Sequence, residues 1–179
     1  MKKSLLALSL GLLSATGMSS AFANGTINFE GRITQDTCPI DVRNPNDGSS
    51  SSVVKMGTVP AVKFTAAGQE YAGKGFSLVI PDIADCKGAT NEANVMFSGA
   101  SSTGDYFDLN PGNDSAKNVV IAVRDVSNGL VKPGVPTADT PLAASGETII
   151  PFMAYYRSTA NSVEAGVASA DVSFTVNIL

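Results

Sequence analysis

The residues able to carry chemistry in this chain are two cysteines and a scatter of carboxylates. Cys38 and Cys86 are the only cysteines, and there is no histidine. Serine and cysteine triads that rely on histidine are therefore excluded, as are zinc centres built on Cys and His. The two cysteines stand far apart, unlike a C-x-x-C pair. In an oxidising compartment their default state is one disulfide across a long loop, worth about 4 kcal/mol in the chain-entropy model. A metal or catalytic thiol pair is the alternative, and neither the spacing nor the lack of histidine favours it. Asn46/Asp47, Asp82/Asp85 and Asn113/Asp114 could offer oxygens to calcium. None has the spacing of an EF-hand loop, and all sit where turns are expected. A carboxylate pair for glycoside hydrolysis is not defined by spacing alone. The 7% aromatic content and absence of Trp count against a sugar cleft. No nucleotide-binding glycine motif precedes a helix, and Tyr71 to Gly75 opens a strand instead. Nothing here amounts to an enzyme, and no cofactor is implied.

The chain begins with Met1-Lys2-Lys3, an apolar run from Leu5 to Leu13, and Ser19-Ser20-Ala21-Phe22-Ala23. That is the layout of a secretory signal peptide cleaved after Ala23, and the apolar run is too short for a membrane anchor. Loss of Lys2 and Lys3 takes the formal net charge from −4 to about −6. No basic patch is visible, so nucleic acid is not an expected partner. Export also agrees with paired cysteines.

The elements that must position any site are strands. Apolar residues alternate in period two, and helical periods are absent. Strands are expected over Gly75 to Ile83, Asn94 to Phe97, Lys117 to Arg124, Thr148 to Arg157 and Ala168 to Leu179. Val53 to Val62 suggests a short edge strand limited by Pro60. Pro60 to Tyr71 is the one helical candidate. Between these runs lie "NPNDGSSSS", "NPGNDS", "VSNG" and "KPGVPTADTP", rich in turn residues. Several short strands with turns between them predict an all-β sandwich. A further alternating stretch precedes Cys38: Ile27, Phe29 and Ile33, with Gly25 and Gly31 on the same face, against Thr26, Asn28, Glu30 and Arg32.

Four segments together make a specific combination: "GTINFEGRITQDTCPIDV", "GFSLVIPDIADC", "NVVIAVRD" and "TIIPFMAYYRSTANSVEAGVASADVSFTV". In this order they resemble the subunits of chaperone–usher fimbriae, in particular the type 1 major pilin family. The spacing G-x-[IV]-x-F-x-G before a first cysteine, "IPF-x-A-x-Y", and a "G-x-A-x-A" lead-in to a final strand carry the resemblance. One departure is visible. The family usually has an aromatic next to its last residue, where this chain has Ile178 and then Leu179.

The resemblance implies an incomplete immunoglobulin-like sandwich that lacks its seventh strand and is completed by a donated one. It implies a signal peptide over 1–23, a donor extension over 24–34 and a pilin domain over 35–179. Gly25, Ile27, Phe29, Gly31 and Ile33 would enter a neighbour's groove. Val172, Phe174, Val176 and Ile178 would form the core and one wall of this chain's own groove. The partners would be neighbouring fimbrial subunits, a periplasmic chaperone and an outer-membrane usher, with the fibre displayed at the cell surface. By pattern alone, Gly25 to Ile33 reads as an ordinary first strand within its own domain, since most strands pair internally, and only the resemblance reverses that reading. The competing function is a self-contained secreted β-sandwich that binds a ligand.

Overall fold

Alternating apolar residues fold this chain into two antiparallel sheets packed face to face. The computed structural model describes residues 39–82, 84, 86 and 91–179. Among them are eight strands: β1 (Asp41–Arg43), β2 (Glu70–Ile80), β3 (Glu92–Gly99), β4 (Val119–Arg124), β5 (Leu130–Val131), β6 (Thr140–Pro141), β7 (Thr148–Ser158) and β8 (Val172–Ile178). One sheet has the order β1-β2-β7-β4-β5 and the other β6-β3-β8. Every ladder is antiparallel. The expected all-β sandwich is what forms.

The inward sets of the strands make the core. Phe76, Leu78 and Ile80 of β2 and Ile150, Phe152, Ala154 and Tyr156 of β7 face Ala93, Val95 and Phe97 of β3. Phe97 lies edge-on to Phe152 at 5.0 Å, and Phe76 stacks on Phe152 at 5.5 Å. Such ring pairs add about 1 kcal/mol each beyond the area they bury. Pro151 sits in β7 without breaking the sheet. β4 ends at Arg124, opposite Met153, so no β4 ladder reaches the proline that lacks a donor.

Several boundaries differ from the sequence expectation, each for a local reason. β2 begins at Glu70, not Gly75, because an extra residue is inserted between Tyr71 and Lys74. That bulge breaks the period-two signal. Ala72 takes φ +59° there, a backbone region that favours glycine. At Gly73 a Cβ would fall 2.6 Å from the Tyr155 ring, so the ring packs where only glycine leaves room. The helical candidate Pro60 to Tyr71 yields only a short 3-10 turn, Ala61–Lys63. Beyond it Phe64 is buried and Tyr71 packs edge-on against it at 4.9 Å. No strand forms over Val53 to Val62, although Val54 and Met56 still turn inward. β3 extends past Asn94 to Phe97 at both ends. β4 starts at Val119, and Lys117 forms an isolated bridge with Glu164 instead. The final strand starts at Val172, since residues 168–171 serve another purpose. The short strands β1, β5 and β6 carried no sequence signal.

A charged cluster ties three neighbouring strands across the outer face of the larger sheet. Arg124 of β4 donates from Nε and Nη2 to the two oxygens of Glu70, both at 2.9 Å. Arg157 of β7 donates to Glu70 Oε1 at 2.8 Å and to the Gly68 carbonyl at 3.0 Å. Its guanidinium also lies 4.8 Å from the centroid of the Tyr106 ring. The Arg124 hydrogen bonds hold the Glu70 carboxyl below its ordinary pKa, with Arg157 adding to the effect. A carboxylate depressed on folding contributes stability above its unfolded pKa and loses it as pH falls through the folded value. Stability should therefore drop below about pH 4.5, the ordinary value for this group. Glu70→Gln should cost about 2 kcal/mol at neutral pH, in line with lost hydrogen bonds to charged groups. It should also flatten the acid limb. Urea unfolding of both proteins across pH 3 to 7 tests this, and an unchanged acid limb would show that Glu70 is not the group responsible.

Candidate strand-acceptor groove

The lead-in to β8 is fixed before the strand begins. The amide of Val167 donates to the Asp114 carbonyl at 2.8 Å, and the amide of Ala116 donates to the Val167 carbonyl at 2.9 Å. The amide of Asn110 donates to the Ser169 carbonyl at 2.8 Å. Residues 164–169 thus lie along residues 110–117. Gly166 makes this possible, since a Cβ there would collide with the backbone of Asp114, Ser115 and Ala116. This is the glycine of the "G-x-A-x-A" run.

β8 then forms an edge. It pairs with β3 and, among the described residues, with no other strand. The register sets Ile178 opposite Ala93, Val176 opposite Val95, Phe174 opposite Phe97 and Val172 opposite Gly99. The β3 members Ala93, Val95 and Phe97 are 0–3% exposed. Val172, Phe174, Val176 and Ile178 pack against the same core but stay half-buried. Layer and register are shared, so the difference lies on the far side of β8, where no described strand pairs with it.

The opposite wall belongs to the larger sheet. Residues 134–137 run along β3, with the Gly134 amide donating to the Phe97 carbonyl and the Thr137 amide to the Val95 carbonyl. β6 therefore occupies the β5 side of β3, and β8 faces the β1 side. There Ile40, Val42, Val54, Met56 and Val59 are also half-buried against the core. At one end the walls converge on Tyr156, whose hydroxyl lies 3.4 Å from the Gly57 carbonyl and 3.3 Å from the Ala168 carbonyl. Burial raises the pKa of that phenol, so it stays a neutral donor at any physiological pH.

Among the described residues, β8 thus ends its sheet as an unpaired edge with half-buried apolar side chains along it. It suits an extended segment with apolar side chains on alternate positions. Of the expected residues, Val172, Phe174, Val176 and Ile178 come together along one wall. Cys86 is buried and disulfide-bonded. Cys38 and the stretch Gly25, Ile27, Phe29, Gly31 and Ile33 lie outside the described residues. Sequence reasoning missed the second wall and Tyr156. The alternation of Val54 and Met56 was a signal for the former, and the tyrosine that closes the "IPF-x-A-x-Y" motif was the signal for the latter. The acidic pairs behave as turn residues where they are described. The Asp47 carboxylate accepts from the Ser49 hydroxyl and amide, and Asp82 accepts from the amides of Ala84 and Gly146.

Gly166→Val should destabilise the fold by about 2 kcal/mol or more, as overpacking against fixed backbone does. A urea midpoint equal to that of the unmodified chain would mean the lead-in can move aside without loss.

Comparison with known proteins places the fold. The family model described as fimbrial protein matches residues 27–178. The chain is 33% identical to a probable major fimbrial subunit, LpfA, of Escherichia coli O157:H7, and 31% identical to long polar fimbria protein A of Salmonella typhimurium. Each match covers 99% of this chain and 97% of the relative. A solved chaperone–usher pilus superposes with a TM-score of 0.61 at 19% identity, over 88% of this chain and 96% of that one.

Proposed function

The chain belongs to the fimbrial protein family, and on that premise we propose that it polymerises by accepting a strand from the next subunit and donating its own. It is a structural fimbrial subunit, and its role is to build the fibre rather than to catalyse. The observation that carries the reading is the unpaired edge of β8 with four half-buried apolar residues beside it.

In this reading Gly25 to Ile33 of one copy lies along β8 of another. Ile27, Phe29 and Ile33 enter the gap, with Gly25 and Gly31 on the same face. Burying each large side chain is worth roughly 1.5–3 kcal/mol. A slip of one residue would bury Glu30 and Arg32, so the two faces of the donor are not interchangeable. The contact is head-to-tail and does not close on itself, and such contacts make filaments. Before assembly the same edge would be covered by a periplasmic chaperone, and exchange would take place at an outer-membrane usher. The route is export to the periplasm and then display at the cell surface. Cys86 would be joined to Cys38, fixing the start of the domain close to the donor stretch. The pilin domain then spans 35–179 and the donor extension 24–34, after a signal over 1–23.

Deleting Asn24 to Thr34 should leave a folded subunit that accepts a strand but donates none, so mixed assemblies end where it is incorporated. Fibres of normal length on electron microscopy would refute donation by this stretch and favour a self-contained sandwich. Gly31→Trp should block or slow polymerisation more than tenfold, given the cost of forcing a large side chain into a packed site, while the circular dichroism of the subunit stays unchanged. Normal polymerisation rates would mean that Gly31 does not enter a tight part of the groove.

A further inference from the structure

The turn between β4 and β5 is Asp125-Val126-Ser127-Asn128-Gly129, and its last two residues are a chemically weak point. Asparagine followed by glycine loses its side-chain amide readily and without an enzyme. The Gly129 nitrogen, once deprotonated, attacks Asn128 Cγ. The Cγ–Nδ2 bond breaks, and ammonia leaves after taking up a proton. A cyclic imide results, and water opens it at either carbonyl to give aspartate or isoaspartate. A side chain on the following residue hinders the attack, and glycine has none. Asn128 is exposed to the water that the last step needs, and its backbone sits at φ +65°.

The turn itself demands that glycine. A Cβ on residue 129 would fall 2.8 Å from Asp125 Oδ2. The carboxylate that fills this space also holds the nitrogen. Asp125 Oδ1 accepts from the Gly129 amide at 2.8 Å, and from the amide and hydroxyl of Ser127 at 2.9 and 2.7 Å. The main chain closes the same loop. The Asp125 amide donates to the Gly129 carbonyl and the Asn128 amide to the Asp125 carbonyl, both at 3.0 Å. The Ser127 hydroxyl, with the two amides, keeps the Asp125 carboxyl below its ordinary pKa, so it is ionised at neutral pH.

This arrangement bears on the attacking nitrogen in two ways. A carboxylate at hydrogen-bond distance opposes removal of the amide proton, because a second negative charge would then face it. The bond also aims the nitrogen's in-plane electron pair at Asp125 Oδ1 and not at Asn128 Cγ. Arg124 works in the opposite sense. Its Nη1 donates to the Asn128 carbonyl at 2.9 Å and draws electrons from the same peptide group, which makes the Gly129 N–H more acidic. The restraint therefore falls on Asp125. We propose that Asn128 is a site of spontaneous deamidation that Asp125 keeps silent by holding the Gly129 amide.

The site is coupled to the rest of the sheet. Arg124, which holds the Asn128 carbonyl, also holds both oxygens of Glu70. Isoaspartate routes the main chain through the former side chain and lengthens it by a methylene. The carbonyl that Arg124 held becomes a free carboxylate, and it competes with Glu70 for the guanidinium. Deamidation at the turn thus reaches the ion cluster that joins β2, β4 and β7.

Mass spectrometry of tryptic digests tests the proposal. Lys132 precedes Pro133 and resists cleavage, so the peptide runs from Asp125 to Arg157 and contains one asparagine and no glutamine. Its deamidated form therefore reports Asn128 alone. At neutral pH the folded chain should deamidate there roughly tenfold more slowly than the chain unfolded in guanidinium, the margin expected of a charge-assisted hydrogen bond. Asp125→Ala, with an unchanged circular dichroism spectrum, should deamidate nearly as fast as the unfolded chain. Equal rates in the folded and unfolded unmodified chain, or slow deamidation in folded Asp125→Ala, would overturn the proposal. If that variant does not fold, hydrogen exchange at the Gly129 amide of the unmodified chain decides, because exchange begins with removal of the same proton. Exchange slowed by a similar factor supports the restraint, and exchange at the unfolded rate overturns it.

Discussion

The structure is organised around one unpaired strand edge. Among the described residues β8 has a sheet partner on one side only, and its four apolar residues stay more exposed than their buried β3 partners in the same layer. A strand in that state exposes backbone donors and acceptors together with apolar surface, two features that proteins otherwise cover. A stable chain of this kind must leave the edge reachable while keeping everything around it fixed. Most of the remaining interactions serve the second requirement.

The edge is held from behind. Gly166 allows residues 164–169 to lie against the backbone of 114–116, which sets where β8 begins. Tyr156 brings the Gly57 and Ala168 segments to one end of the gap. On the larger sheet, Glu70 joins β2 to β4 and β7 through two arginines. Arg43 reaches from β1 to both oxygens of Glu147, just ahead of β7. That second pair is exposed and contributes little by itself, since solvent screens it. The Glu70 cluster is better shielded and spans three strands, so it braces the sheet that forms the groove floor. Rigidity at the floor matters because strand addition gains most when the acceptor is already in shape.

Much of this was legible in the sequence, for a definite reason. Period-two alternation over Thr148 to Arg157 and at the C-terminal strand reports burial of one face, and burial of one face is what a sandwich requires. The same alternation identified Val172, Phe174, Val176 and Ile178. It could not report that they are only half-buried, because exposure at an edge depends on which strand is absent and not on the strand's own residues. β2 was read short because a bulge at Ala72 and Gly73 interrupts the period. Val53 to Val62 was read as a strand because Val54 and Met56 do turn inward, although no ladder forms there. Tyr156 stood in the sequence only as the last residue of a motif, since its hydroxyl contacts come from Gly57 and Ala168, outside its own strand. The strand before Cys38 showed its alternation plainly, but alternation does not say to which molecule a strand belongs.

The remaining sheet edges explain why one open edge need not lead to random aggregation. Sheets that end in long, flat, exposed strands recruit one another without discrimination. Here the other terminal strands of the described residues are short: β1 has three residues, β5 two and β6 two. β1 gives way to a turn-rich loop, in which the Gly48 amide donates to the Asn44 carbonyl at 2.8 Å. Only β8, with seven residues, is long enough to template a full strand. Among the described residues, an edge long enough for strand addition is thereby found at one place. Among the described residues the fold therefore presents one long open edge, that of β8, and keeps its other strand ends too short to compete with it.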